Sequence, residues 1–120
     1  MTETERTLTI TQHSDPRGAL VVRVDGELDH HTAPELRHAL AETPFSADTP
    51  VIMDLSGLEY CDSTGLTVLI TSYHLATAAD TTLSIVGLNP DLTRVFKIAG
   101  IDLVIPLHAT VDEVLDRTQA

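Results

Sequence analysis

The segment Asp54–Leu66 contains the residues whose types and spacing are most suggestive of chemistry. It begins in an apolar run, Val51–Leu55, that predicts a strand, and it leads through Asp62–Gly65 into residues whose apolar side chains recur at helical spacing. A hydroxyl at a helix N-terminus lies beside unpaired backbone N–H groups and the positive end of the helix dipole, which together accommodate a phosphate. Ser63 is therefore interpreted either as the N-terminal cap of this helix or as a phosphorylation switch, where a phosphate would add about −1.5 to −2 charges.

The neighbours of Ser63 leave alternatives open. Asp62 is either a general base for the Ser63 hydroxyl or a negative charge that stabilises the helix N-terminus. Thr64 is expected to be a first-turn residue rather than a second phosphate acceptor, and Cys61 a small buried apolar residue. A serine hydrolase is the remote alternative, because Asp62–Gly65 lacks the first glycine of a Gly-x-Ser-x-Gly nucleophile elbow.

A second polar cluster, formed by Glu27, Asp29, His30 and His31, raises the question of a metal site. Adjacent residues on a forming helix point about 100° apart, whereas zinc ligands have to converge on one point. No metal is expected here, and the cluster is interpreted as a surface loop. The chain also lacks the Gly-x-x-x-x-Gly-Lys motif of a phosphate-binding loop.

Five strands and four helices are predicted to position these residues. Apolar alternation and apolar runs predict strands at Thr7–Thr11, Leu20–Val24, Val51–Leu55, Leu83–Val86 and Leu103–Ile105. Asp25-Gly26 is predicted to end the second strand. The order β-β-α-β-α-β-α-β-α predicts an α/β fold with a mixed, mostly parallel sheet of about five strands and about four helices. The apolar strand Val51–Leu55 is expected in the interior of the sheet.

Helix starts and ends are indicated by capping signals. Thr32 with Glu35 and Thr110 with Glu113 have the spacing of capping boxes, and Asn89-Pro90 opens a helix that ends at Gly100. The helix after Ser63 is predicted to run to about Ala79.

The composition limits the classes of function that this chain can perform. Its 120 residues show no break in composition, which predicts one domain over residues 1–120. Seven basic against eighteen acidic residues give a net charge of −11, which repels nucleic acid and anionic membranes. Cys61 is the only cysteine, the N-terminal residues 1–6 are polar, and no apolar run approaches the roughly 20 residues of a membrane span. These features predict a soluble, cytoplasmic protein whose partners are other proteins.

Two separated motifs resemble one protein family. Asp62–Leu66, placed after a strand, resembles the switch motif of STAS domains. Gly26–Ala33 resembles the second hallmark of their stand-alone bacterial members, the anti-sigma factor antagonists. The resemblance covers nearly the whole chain and includes the order of elements. Thr64 stands where serine is common in the family, and Cys61 where a larger apolar residue is common.

The resemblance implies a regulatory binding module that is not an enzyme and needs no cofactor. In that family the partner is an anti-sigma factor that is also a serine kinase with an ATPase-like fold. The unphosphorylated antagonist binds this kinase and frees a sigma factor, the phosphorylated form is released, and a PP2C-type phosphatase restores it. The alternative within the family is a STAS scaffold or a transporter-associated subunit that does not act on sigma factors.

The resemblance also assigns roles to individual residues. Ser63 matches the phosphate acceptor, Asp62 the motif aspartate and Gly65 the helix-start glycine. The residues that match the partner-facing loop are Asp29, His30, His31 and Thr32. Because both segments follow the carboxyl ends of predicted parallel strands, Asp29, His30 and the Ser63 loop are expected on one face.

Overall fold

The computed structural model describes residues 7–119, with side-chain surroundings for residues 7–116. This part of the chain contains one sheet of six strands. They are β1 (Leu8–Ser14), β2 (Leu20–Leu28), β3 (Val51–Asp54), β4 (Leu58–Cys61), β5 (Leu83–Val86) and β6 (Leu107–His108). β1 pairs with β2 in the antiparallel direction, and all other pairings are parallel. The predicted mixed, mostly parallel sheet is confirmed.

The strand order explains how the sheet presents its carboxyl edge. The order is β1-β2-β3-β5-β6, and β4 pairs with β2 beyond the end of β3. β3 lies between β2 and β5, which confirms its predicted interior position. The parallel strands therefore end at one common edge, where the loops that follow them meet.

The described residues contain four α-helices, as predicted, and these helices cover the two faces of the sheet. They are α1 (Ala33–Ala41), α2 (Ser63–Ala78), α3 (Pro90–Ile98) and α4 (Val111–Gln119). The buried residues of α1, α2 and α3 pack in one core with Val22, Met53 and Ile85 of the sheet. Val114 and Leu115 of α4 pack in a second, smaller core on the opposite face. No helix in residues 7–119 is both long and apolar enough to cross a bilayer.

β2 continues past the point where Asp25-Gly26 was predicted to end it. Gly26 has a φ of +105°, and a Cβ there would collide with the carbonyl oxygen of Thr7. The register between β2 and β4 shifts between Gly26 and Glu27, so the strand carries a bulge and then resumes pairing to Leu28. The prediction was wrong because a turn-forming dipeptide also suits a bulge, and the unpredicted strand β4 supplies the partner.

The predicted strand at Leu103–Ile105 is also wrong. The chain forms a 3₁₀ turn at Ile101–Leu103, and only the two residues of β6 later join the sheet. Ile101 and Ile105 are buried, whereas Leu103 is 86% exposed. The apolar residues are thus spaced for a helical turn, in which the Ile105 N–H donates to the Ile101 carbonyl at 2.8 Å.

The last capping box forms in part. The Thr110 hydroxyl accepts a hydrogen bond from the Glu113 N–H at 3.1 Å, as predicted. The Glu113 carboxylate accepts from the Ala109 N–H at 3.2 Å rather than from the N–H of Thr110. The predicted polar segment at residues 1–6 lies outside the described residues.

Candidate functional site

The N-terminus of α2 is capped by Asp62 and not by Ser63. Asp62 has extended backbone angles, and its Oδ1 accepts a hydrogen bond from the Gly65 N–H at 2.9 Å. Ser63 is the first residue of the helix itself. The interpretation of Ser63 as the cap was therefore wrong, and the preferred cap position belongs to a carboxylate that also complements the helix dipole.

Asp62 also joins α2 to the loop that follows β2. Its second oxygen, Oδ2, accepts a hydrogen bond from the backbone N–H of His30 at 3.1 Å. The Nδ1 atom of the His30 ring lies 3.8 Å from the same oxygen. One carboxylate thus joins two segments that are 32 residues apart and brings His30 to the start of α2, as predicted. The prediction that Asp29 lies on the same exposed face was wrong, because Asp29 is buried beneath the loop.

Asp29 and Thr32 form the buried frame of this loop. Asp29 is 4% exposed and Thr32 is 1% exposed. The Asp29 carboxylate accepts from the N–H groups of His31 at 2.9 Å and Thr32 at 3.1 Å. The Thr32 hydroxyl accepts from the Asp29 N–H at 2.9 Å and donates to the Glu27 carbonyl at 2.7 Å. The predicted Thr32–Glu35 capping box was wrong, because the Thr32 hydroxyl bonds within the loop and makes no side-chain cap bond to α1.

His30 and His31 are the exposed members of the loop. Their ring centroids lie 4.1 Å apart with an interplanar angle of 37°. The His30 side chain is 67% exposed, and His31 is exposed as well. Of the four predicted loop residues, the buried Asp29 and Thr32 therefore hold the loop in shape, and His30 and His31 expose their rings to solvent.

The Ser63 hydroxyl is exposed and available. It forms no hydrogen bond with any residue that the structure describes, while the Ser63 carbonyl accepts from the Thr67 hydroxyl at 3.0 Å. Both carboxylate oxygens of Asp62 already accept backbone N–H groups. This geometry favours the stabilising interpretation of Asp62 over the general base. Thr64 is half-buried in the first turn, as expected.

Gly65 lets α2 approach the strands closely. A Cβ at Gly65 would lie 2.8 Å from the Cys61 Sγ, 2.8 Å from the Leu28 Cγ and 3.0 Å from the Leu28 carbonyl oxygen. Cys61 is buried, as predicted, and its burial, with a smaller contribution from Asp62, raises the pKa of the thiol to about 12. The thiol is therefore protonated at neutral pH and is not a nucleophile.

The structure brings all the predicted site residues into two adjoining segments at the carboxyl edge. Sequence reasoning missed the second bond of Asp62, because it joins residues that are far apart in the chain. It also missed Leu28, whose carbonyl accepts from the Asp62 N–H at 3.1 Å and whose side chain packs against Gly65. No group of three or more histidine, cysteine, aspartate or glutamate side chains with metal-binding geometry occurs among the described residues.

Comparison with known proteins gives consistent matches. Residues 7–114 match the family model described as the STAS domain. The anti-sigma F factor antagonist of Paenibacillus polymyxa is 30% identical over 93 residues, which cover 77% of this chain and 80% of that protein. The anti-sigma-B factor antagonist of Staphylococcus aureus strain NCTC 8325 / PS 47 is 32% identical over 80 residues, 67% of this chain and 74% of that protein.

Solved structures are also similar to this chain over almost its full length. The crystal structure of an anti-sigma factor antagonist from Mycobacterium paratuberculosis has a TM-score of 0.80 to this chain at 30% sequence identity. The match covers 95% of this chain and 96% of that one. The likeness therefore extends over almost the whole of both chains.

Proposed function

The chain belongs to the STAS domain family, and on that premise we propose that it is an anti-sigma factor antagonist that changes partners through Ser63. The unphosphorylated form binds an anti-sigma factor that is also a serine kinase, and this binding frees a sigma factor. Phosphorylation of Ser63 by the bound kinase releases the antagonist, and a PP2C-type phosphatase restores it. In this role, residues 1–120 act as one domain of a cytoplasmic binding protein that is not an enzyme.

The observation that carries this proposal is the unbonded Ser63 hydroxyl at the first position of α2. It is exposed, it has no hydrogen-bond partner among the described residues, and Ser63 directly follows Asp62, whose Oδ2 lies 3.8 Å from the Nδ1 atom of His30. A kinase can reach such a hydroxyl without unfolding the helix. The relatives named anti-sigma F and anti-sigma-B factor antagonists support the identity of the partner.

The site residues have two kinds of role in this proposal. His30, His31, Ser63 and Thr64 form the contact surface. The positioning residues are Asp29, Thr32, Asp62 and Gly65, which hold the loop and the helix start in place. Substitution of His30 is expected to weaken partner binding and leave the fold intact. Substitution of the buried Asp29 is expected to disturb the loop as well, since loss of its carboxylate would leave the backbone N–H groups of His31 and Thr32 unpaired.

Phosphorylation releases the partner through a local change in charge. An uncharged hydroxyl can be covered by a partner at little cost in desolvation. A phosphate next to Asp62, on a chain of net charge −11, resists desolvation and repels acidic groups of the partner. The free N–H groups at the helix N-terminus accommodate part of the new charge, so the fold survives. Affinity is expected to fall by roughly two to three decades.

The decisive experiment incubates the purified chain with the candidate kinase partner and ATP and maps the phosphate by mass spectrometry. We expect phosphate on Ser63, and none on a Ser63→Ala variant that still binds the partner. Phosphate on another residue, such as Thr64, or no phosphate at all, contradicts the switch.

Binding measurements test the consequence of the added charge. Ser63→Asp is expected to bind the partner much more weakly than the unmodified chain, although a carboxylate only partly mimics phosphate. Thr71→Asp is the matched control, because it adds the same charge at an exposed position two turns further along α2. Equal affinity of Ser63→Asp and the unmodified chain would contradict the mechanism.

A release experiment distinguishes an antagonist from a STAS scaffold. An antagonist is expected to release the sigma factor when the unmodified chain is added to a sigma–anti-sigma complex, whereas a scaffold is not.

A further inference from the structure

A crevice opens at the carboxyl edge of the sheet between α3 and α4, outside the site formed by Asp62 and Ser63. Its volume is about 300 Å³, the lower end of the range for small-molecule pockets. The lining residues are Leu88, Thr93, Lys97, Leu107, His108, Ala109 and Glu113. They come from α3, α4, β6 and the loops that follow β5 and β6.

The topology of the sheet accounts for the position of this crevice. β5 and β6 are parallel neighbours, and the helices that follow them lie on opposite faces of the sheet. The two loops therefore diverge as they leave the carboxyl ends of the strands. In open α/β sheets, ligands bind in a crevice of this kind.

Lys97 brings a positive charge to a crevice that is also lined by the Glu113 carboxylate. It is the only lysine in the chain, and its ammonium group forms no hydrogen bond or ion pair with any described residue. Arg94, one turn earlier on α3, is held instead by Asp91 at 3.8 Å.

The carboxylate of the crevice is already engaged. Glu113 Oε1 accepts from the Ala109 N–H at 3.2 Å and lies 3.1 Å from the His108 Nδ1. Among the described residues, Glu113 forms no ion pair with Lys97. The partly buried side chains of Leu88 and Leu107, which pack against the main core, give the crevice apolar walls.

We propose that this crevice binds a small organic anion. The carboxylate or phosphate of the ligand pairs with the Lys97 ammonium, and a compact apolar body lies against Leu88 and Leu107. This function is separate from partner switching at Ser63 and does not depend on it.

The test titrates the isolated, isotope-labelled chain with three probes of similar size in NMR experiments. Phenyl phosphate and benzoate carry the two candidate anionic groups, and benzyl alcohol carries none. We expect saturable shifts of the Leu88 and Leu107 methyl signals and the Ala109 amide signal with at least one anion, at a Kd of about 1 mM or tighter. The uncharged probe is expected to bind about tenfold more weakly. The stronger of the two anions identifies the preferred group.

Two charge variants locate the binding. Lys97→Gln is expected to weaken binding of the anion about tenfold, whereas Arg94→Gln removes the same charge from the same helix outside the crevice and leaves binding unchanged. Both positions are exposed, so the fold is retained, which the unperturbed spectra of the variants verify. Absence of saturation with both anions, equal binding of benzyl alcohol, or equal weakening in the two variants would overturn the proposal. The titration contains no anti-sigma factor, so its failure is distinguishable from failure of the proposed function.

Discussion

Helices α2 and α3 are capped in the same way at their N-termini, but in the described part of the chain only the cap of α2 is also hydrogen-bonded to a second loop. Both follow strands that end at the carboxyl edge of the sheet. Asp62 and Asn89 both have extended backbone angles, and each accepts a hydrogen bond from the third residue of its helix, at 2.9 Å and 2.8 Å. As local capping structures the two are nearly equivalent.

The two helix starts differ in the second side-chain acceptor of the capping residue and in the residue that directly follows the cap. Asp62 also accepts from the His30 N–H, whereas the Asn89 side chain makes no second bond among those found in the described residues. The first helical residue is the exposed Ser63 in α2 and Pro90 in α3. A common capping structure becomes a candidate site when it is tied to a second loop and presents a free hydroxyl.

The largest contrast is expected in phosphorylation, if the proposed function holds. Pro90→Ser places a hydroxyl at the first position of α3, behind a comparable cap. With the partner kinase and ATP, we expect phosphate on Ser63 and none at position 90, since α3 lacks the adjoining His30 loop. Mass spectrometric mapping of this variant, with and without Ser63→Ala, measures both sites. Phosphate at position 90 would mean that any capped helix start is a sufficient substrate.

Removal of the two caps should affect stability unequally. Asp62→Ala is expected to lower the free energy of unfolding by about 2–3 kcal/mol, because the cap and the bond to the His30 N–H are lost together. Asn89→Ala loses only the cap, at about 1 kcal/mol. Urea denaturation of both variants measures the difference. Asp62→Asn, which retains an acceptor oxygen, should fall between Asp62→Ala and the unmodified chain, and equal losses for the two alanine variants would contradict the bridging role.

Gly65→Ala tests the close approach of α2 to the strands. Alanine is favoured in a helix by about 1 kcal/mol over glycine, yet its Cβ would meet the Leu28 carbonyl at 3.0 Å. We expect a net loss of about 1–2 kcal/mol in the free energy of unfolding, since overpacking exceeds the gain in helix propensity. Ser63→Ala, at an exposed position, should change stability by less than about 0.5 kcal/mol. A higher melting temperature of Gly65→Ala would contradict this prediction, because it would show that α2 can move away from Leu28 without loss of stability.

The smallest effect concerns Cys61, which lies under the start of α2 and not α3. Its pKa is raised from 9.0 to about 12 in the folded chain, so the folded state retains a proton that the unfolded state loses in this interval. Stability from this group is complete below pH 9 and is lost as the pH rises towards 12. At pH 10 the loss is about 1 kcal/mol, and it should be absent in Cys61→Ala. Denaturation of both proteins between pH 8 and pH 10 measures it; parallel curves would place the thiol in contact with water.

Sequence patterns predicted the elements that depend on nearby residues. The mainly apolar strands β3 and β5, both buried in the sheet, were identified from runs of apolar residues in the sequence. So was the start of α3, where Asn89 caps the helix and Pro90 occupies its first turn. β4 was missed, because only Leu58 and Cys61 of its four residues are buried and they do not alternate.

The amino-acid order of this chain is enough to specify its α/β class, its acidic charge and the placement of Ser63 at the start of a helix. These properties follow from periodicity, composition and capping chemistry, which act over a few residues. The bond from Asp62 to His30 and the bulge at Gly26 arise only in the folded chain. So does the crevice beside Lys97. Each requires segments that are distant in sequence to meet, and the strand order and the distribution of helices over the two faces bring them together.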